Sequence, residues 1–163
     1  MLVHAWRRLL DASGFVAGTL VALIALGVCA DVALRSIGAG GIGWMLEAIE
    51  YLQYAMVLIG AAWVLARGAH VAIDAVLLAL SPERRARMER VASGFGALAS
   101  GIFAAVCLTA TIDLYKTGAV LHKSFTLPEW LPIAGLALAF LMLAIEFGLQ
   151  ASGRGEIREQ LDL

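Results

Sequence analysis

The residues able to do chemistry in this 163-residue chain are few, and most of them border long apolar stretches. Asp31 has Arg35 one turn later, Asp113 has Lys116 close by, Glu47 and Glu50 are three residues apart, and Glu146 falls near the end of the last apolar run. An ionisable group at the centre of a bilayer costs about 2.5 to 3.5 kcal/mol and marks proton relays or ion paths. None of these acids is central to its stretch, so they read as interfacial ion pairs or as contacts to a partner protein. His70 and Asp74 stand four apart, which puts them on one face of a helix where they can share a hydrogen bond. No nucleophile, base and orienting group fall on one surface, so an enzyme is not expected. Cys29 and Cys107 belong to no C-x-x-C or Cys/His cluster, and neither a metal nor another cofactor is expected.

The elements that position these residues are membrane spans. A helix needs roughly 20 mostly apolar residues to cross about 30 Å of hydrocarbon. Four stretches meet that length, near 15–34, 48–66, 92–112 and 130–149. With 61% hydrophobic and only 15% charged residues, the chain has no material for a second, water-soluble domain. Hydrocarbon offers the backbone no hydrogen-bond partners, and the runs do not alternate as barrel strands do, so the spans must be helices. The expected fold is an all-α integral membrane protein, one four-helix domain over residues 1–163. Arg7-Arg8 ahead of the first run resembles a leader, but the run is too long and lacks a small-x-small cleavage site, so it reads as a retained span.

Lys and Arg give the orientation. Nine of the twelve, Arg7, Arg8, Arg67, Arg84, Arg85, Arg87, Arg90, Arg154 and Arg158, fall on one side, and Arg35, Lys116 and Lys123 on the other. Both termini, the central loop and a tail over 150–163 are therefore expected in the cytoplasm. The arginine run from Arg84 to Arg90 reads as an anchor on anionic lipid.

Short segments between the spans carry their own signals. Residues 1–14 suit an interfacial helix, with Trp6 at headgroup depth, and 69–80 is an apolar stretch too short to cross, expected to lie along the membrane. Trp44 and Trp130 are further interface anchors. Ser81-Pro82-Glu83 provides a helix N-cap, a proline at the first helical position and an acid in the first turn, starting a helix that feeds the third span. Thr126-Leu127-Pro128-Glu129 has capping-box spacing ahead of the fourth. Ser93, Ala97, Gly101, Ala105 and Thr109 recur every four residues, and Gly14 and Gly18 give a shorter ridge, so these small side chains are expected to mediate helix packing.

A resemblance rests on Trp44-Met45-Leu46-Glu47, Tyr51, Leu58-Ile59-Gly60-Ala61-Ala62 and Arg67-Gly68-Ala69-His70-Val71-Ala72-Ile73-Asp74, followed by a proline and an arginine-rich turn. This pattern resembles the small membrane (permease) subunit of tripartite ATP-independent periplasmic (TRAP) transporters. Ser124-Phe125-Thr126-Leu127-Pro128-Glu129-Trp130 is similar to the start of that family's last span, and His70-Val71 departs mildly from the family's His-Ile. The resemblance implies a scaffold subunit in the bacterial inner membrane. Its expected partners are a large membrane subunit, which carries the substrate and sodium sites, membrane lipid, and a periplasmic binding protein that delivers an organic acid such as a C4-dicarboxylate. Nucleic acid is not among them. Glu47, Glu50, Arg67, His70 and Asp74 are the candidates for subunit contacts or structural roles, and no residue is assigned to substrate.

Two rivals come from other classes. A redox-complex anchor holding haem needs histidines inside the spans, whereas His4, His70 and His122 lie outside them. A small homodimeric proton-coupled exporter needs Asp31 as coupling residue, and its expected depth is shallow.

Overall fold

The computed structural model describes residues 2–67, 81–122 and 126–152. Four helices long and apolar enough to cross a membrane make up almost all of them: α1 (Leu2–Ser36), α2 (Met45–Ala66), α3 (Pro82–Thr117) and α4 (Trp130–Ala151). The all-α expectation holds, with one small exception between α3 and α4. There, β1 (Val120–His122) and β2 (Thr126–Pro128) form a two-stranded antiparallel ribbon in which Leu121 faces Leu127.

The four helices pair as two hairpins, α1 with α2 and α3 with α4, and α2 packs on α4 to join them. The inner positions of α1 are Leu10, Ser13, Ala17, Leu20, Ile24, Gly27, Asp31 and Leu34, spaced alternately three and four apart. That is the seam of left-handed helix pairs, in which a 3.5-residue repeat keeps one narrow stripe on the neighbour. Trp6, Arg7 and Gly14 are also half-buried, and from Phe15 onward the other positions of α1 are exposed, with Phe15 and Leu26 among the open side chains. In lipid such surfaces need no protein cover, because acyl tails are as apolar as leucine.

Helix approach is set by glycine where large rings cross. A Cβ on Gly14 would lie 2.5 Å from the Trp63 indole, and one on Gly96 would lie 2.9 Å from the Phe147 ring. Gly60 meets Ala17 and Gly135 meets Leu58 in the same way, joining α1 to α2 and α2 to α4. Phe103 stacks on Phe140 at 5.2 Å between ring centroids, within the α3/α4 hairpin.

Three sequence expectations change in detail. Residues 2–13 are helical, but they run unbroken into the first span as part of α1, since no proline interrupts the turns there. Pro128 ends a strand, so Thr126 pairs with His122 in the ribbon instead of capping a helix. Glu129 takes the N-cap position of α4 without a side-chain cap bond. Finally, Ser93, Ala97 and Gly101 are half-buried while Ala105 and Thr109 are exposed. The packed face of α3 runs instead through Gly96, Ser100, Ala104, Cys107 and Thr111. A strict four-residue repeat turns about 400° per step on a helix of 3.6 residues per turn, so it drifts off any fixed face within a few turns.

α3 starts as the sequence suggests, with extended Ser81 ahead of Pro82, although the serine hydroxyl makes no cap bond. The Ser81 carbonyl accepts from the Arg84 and Arg85 amides. The helix ends on Gly118, whose φ of +66° is the left-handed conformation that glycine adopts without steric cost, and whose amide bonds Leu114 O.

Candidate functional site

Polar groups gather at the two ends of the bundle. At the end that holds the first turns of α1, Glu146 of α4 is only 4% exposed. Its carboxylate accepts a hydrogen bond from Trp6 Nε1 of α1 at 2.9 Å and a longer one from Gln150 Nε2 at 3.4 Å. Gln150 Nε2 also donates to Leu65 O of α2 at 3.3 Å. Glu146 and Gln150 together thereby tie α4 to α1 and α2, where burying the acid unbonded would cost several kcal/mol. Beside it, Leu10 packs with Ala62 and Ala66 in the most enclosed cluster of the described residues, lined by Trp63, Met142 and Leu143.

Arg67 lies just outside this knot. Its guanidinium pairs with Asp11 at 3.0 Å and sits 5.3 Å from the Trp63 ring centroid, so the residue after α2 holds the start of α1. Both charged side chains are more than half exposed, which keeps the ionic contribution small.

At the opposite end Asp31 makes the turn between α1 and α2. One oxygen pairs with Arg35 at 2.8 Å and the other accepts from the Ile42 amide at 2.8 Å. Gly38 and Gly40, both at positive φ, let the chain reverse there. Glu47 is buried in the first turn of α2, while Glu50 is exposed, so the two acids do not share one surface. Glu50 edges a cleft of about 490 Å³ together with Tyr51, Tyr54, Leu121, Glu129 and Pro132. Tyr54 donates to Pro132 O at 2.8 Å, pinning α2 to the first turn of α4. Trp44 precedes α2 and Trp130 begins α4 at this end, and Trp130 meets Tyr115 edge to face.

Between these ends the bundle offers little to a polar solute. Thr19, Thr109 and Thr111 turn their hydroxyls back onto carbonyls of their own helices, at Phe15, Val106 and Cys107. Among the described residues, Asp31, Asp113 and Glu146 occupy the last two turns of the helices that carry them, and Glu47 the first turn of α2. Helices and hydroxyls arranged this way supply packing and, among the described residues, form no midplane site of the kind discontinuous helices build.

Of the residues singled out from the sequence, the structure brings Arg67 to Asp11, buries Glu47 and leaves Glu50 exposed. Trp6 spends its indole N–H on Glu146. His70 and Asp74 lie outside the described residues, as does the expected helix over 69–80 and most of the tail. Glu146 and Gln150 are the contacts the sequence reading missed. Their only signal was an acid and an amide one turn apart at the end of an otherwise apolar run.

A family model described as "Tripartite ATP-independent periplasmic transporters, DctQ component" matches residues 24–153. The chain belongs to this family. The match takes in the last turns of α1 and the whole of α2, α3, the ribbon and α4, and it includes Glu146 and Gln150. No curated protein and no solved structure matches the chain. A DctQ-type chain is a multi-pass component of a transporter and not an enzyme, and the four helices agree with that description.

Proposed function

We propose that this chain is the fixed scaffold of a TRAP-type secondary transporter: it binds and stabilises the large membrane subunit and carries no substrate itself. The observation behind this reading is the family match over residues 24–153. Among the described residues, the placement of Asp31, Glu47, Asp113 and Glu146 in the first or last two turns of their helices is consistent with a supporting role. In this account the large subunit imports an organic acid of the C4-dicarboxylate class, delivered by a periplasmic binding protein and driven by sodium. The chain sits in the bacterial inner membrane with both termini and the central loop cytoplasmic, as the distribution of arginine supports.

Glu47, Glu50, Arg67, His70 and Asp74 are its proposed structural or subunit-contact residues. Replacing His70 or Asp74 by alanine should weaken assembly more than it alters substrate preference. A variant that assembles normally but transports a different substrate would contradict the scaffold role.

Affinity purification of the tagged chain from native membranes in mild detergent tests the reading. Recovery of a large many-span polypeptide near one-to-one supports it. Recovery of the chain alone as a dimer, or with flavin and haem subunits, overturns it.

A further inference from the structure

α3 is longer than a bilayer requires. Its 36 residues rise about 54 Å, against about 30 Å of hydrocarbon, so its first turns lie outside the acyl layer if the helix crosses. Those turns carry Arg84, Arg85, Arg87 and Arg90. The N-terminal end of a helix is its positive end, where cations are disfavoured, so the macrodipole does not account for four arginines there.

The four are not equivalent. Arg85 bonds Glu89 at 2.8 Å, and Arg90 is also engaged within the chain. Arg84 and Arg87 are exposed, and among the described residues neither has an ion-pair partner. At about 100° per residue they lie on the side of α3 opposite its packed face of Ser100, Ala104 and Cys107. That same side continues into Met88, Val91, Phe95, Leu98 and Ile102, all exposed, with Phe95 at 70%. From Val91 to Ile102 the stripe rises about 16 Å, close to half the hydrocarbon thickness.

Two cations followed by a single-leaflet length of open apolar surface match one kind of molecule. We propose that this face of α3 binds an anionic phospholipid of the adjacent leaflet, its phosphate held by Arg84 and Arg87 and one acyl chain lying along Met88, Val91, Phe95, Leu98 and Ile102. Guanidinium groups bind phosphate oxygens through two parallel N–H bonds, which suits a fixed headgroup position. A zwitterionic headgroup would bring its own ammonium towards two cations, so charge selects the anionic class. The proposal rests on the reading that α3 spans the membrane with Pro82 on the headgroup side, and it does not require the large subunit.

The test is native mass spectrometry of the full chain in mild detergent, with phosphatidylglycerol or phosphatidylcholine of identical acyl chains added. The expected result is a preference of roughly tenfold or more for phosphatidylglycerol, from the attraction of two surface arginines for an anionic headgroup. R84Q/R87Q should abolish that preference, and R85Q/R90Q, which removes the same charge, should keep it. No preference in the wild type, or one unchanged in R84Q/R87Q, overturns the site. So does a photocrosslinker at Phe95 that captures protein instead of lipid in native membranes, since that would assign the face to a subunit. Co-purification of the large subunit, scored on the same samples, separates failure of the lipid site from failure of the scaffold reading.

Discussion

The two ends of the bundle are held by different means. At the end formed by the first turns of α1, side chains far apart in sequence close on one another: Trp6 reaches Glu146, Gln150 reaches Leu65, and Trp63 lies across Gly14. At the opposite end the chain is held mostly by local devices. A ribbon joins α3 to α4, and Asp31 bonds an amide eleven residues ahead of it. The first end therefore does most to fix which helices are neighbours, and the second, apart from the Tyr54 bond to Pro132 O, fixes how the chain turns between them. A scaffold that must present one shape to a moving partner gains from the first kind of constraint, because it joins α1, α2 and α4 in one enclosed contact.

The strongest way to break this contrast is Gly14→Ala. Its Cβ would meet the rigid Trp63 indole, and the helices must separate, at about 1 to 3 kcal/mol. Gly18→Ala, one turn later with open space around it, should be neutral or stabilising by about 0.5 to 1 kcal/mol, since alanine favours helix over glycine. Thermal unfolding in detergent compares the two, and equal effects would remove the close crossing from the account.

Glu146→Ala comes next. It leaves the Trp6 N–H and the Gln150 amide in an enclosed, mostly apolar setting, for a loss of about 1 to 3 kcal/mol. A double-mutant cycle with Trp6→Phe isolates the pair, and the expected coupling is about 0.6 to 1.7 kcal/mol, the range of hydrogen bonds between membrane helices. A coupling of zero would mean that the contact contributes nothing to the fold.

Smaller and more local is Asp31→Ala, at about 0.5 to 1.5 kcal/mol. Its effect should appear as faster hydrogen exchange over residues 37–44 with the α1 start unchanged. Uniformly faster exchange would show that the two ends are not independent.

The least effect is expected from Asp11→Asn at the exposed pair with Arg67, about 0 to 1 kcal/mol and less at high salt. Because this pair sits beside the enclosed Glu146, a small value there sharpens the comparison: burial, and not charge, gives that end its strength. A loss as large as that of Glu146→Ala would reverse the argument.

What the sequence disclosed follows the same division. Spans, the Asp31/Arg35 pairing and the Ser81-Pro82 helix start are local signals, set by composition and by neighbours within a turn or two. Glu146 was not legible as a tie between helices, because its donor Trp6 is 140 residues away. The ribbon was missed because three-residue strands carry no readable alternation, and Pro128 beside Glu129 has the spacing of a helix start. The ridge from Ser93 to Thr109 pointed to packing on α3, but the four-residue period led away from the face that α4 covers.

The central claim is that this chain supports transport without performing it. Its most direct test is substrate uptake into proteoliposomes containing the large subunit and binding protein, with and without this chain, beside vesicles containing this chain alone. The account predicts sodium-driven uptake of an organic acid only when both membrane subunits are present, and none from this chain alone. Uptake by this chain alone, or full activity of the large subunit without it, would contradict the account.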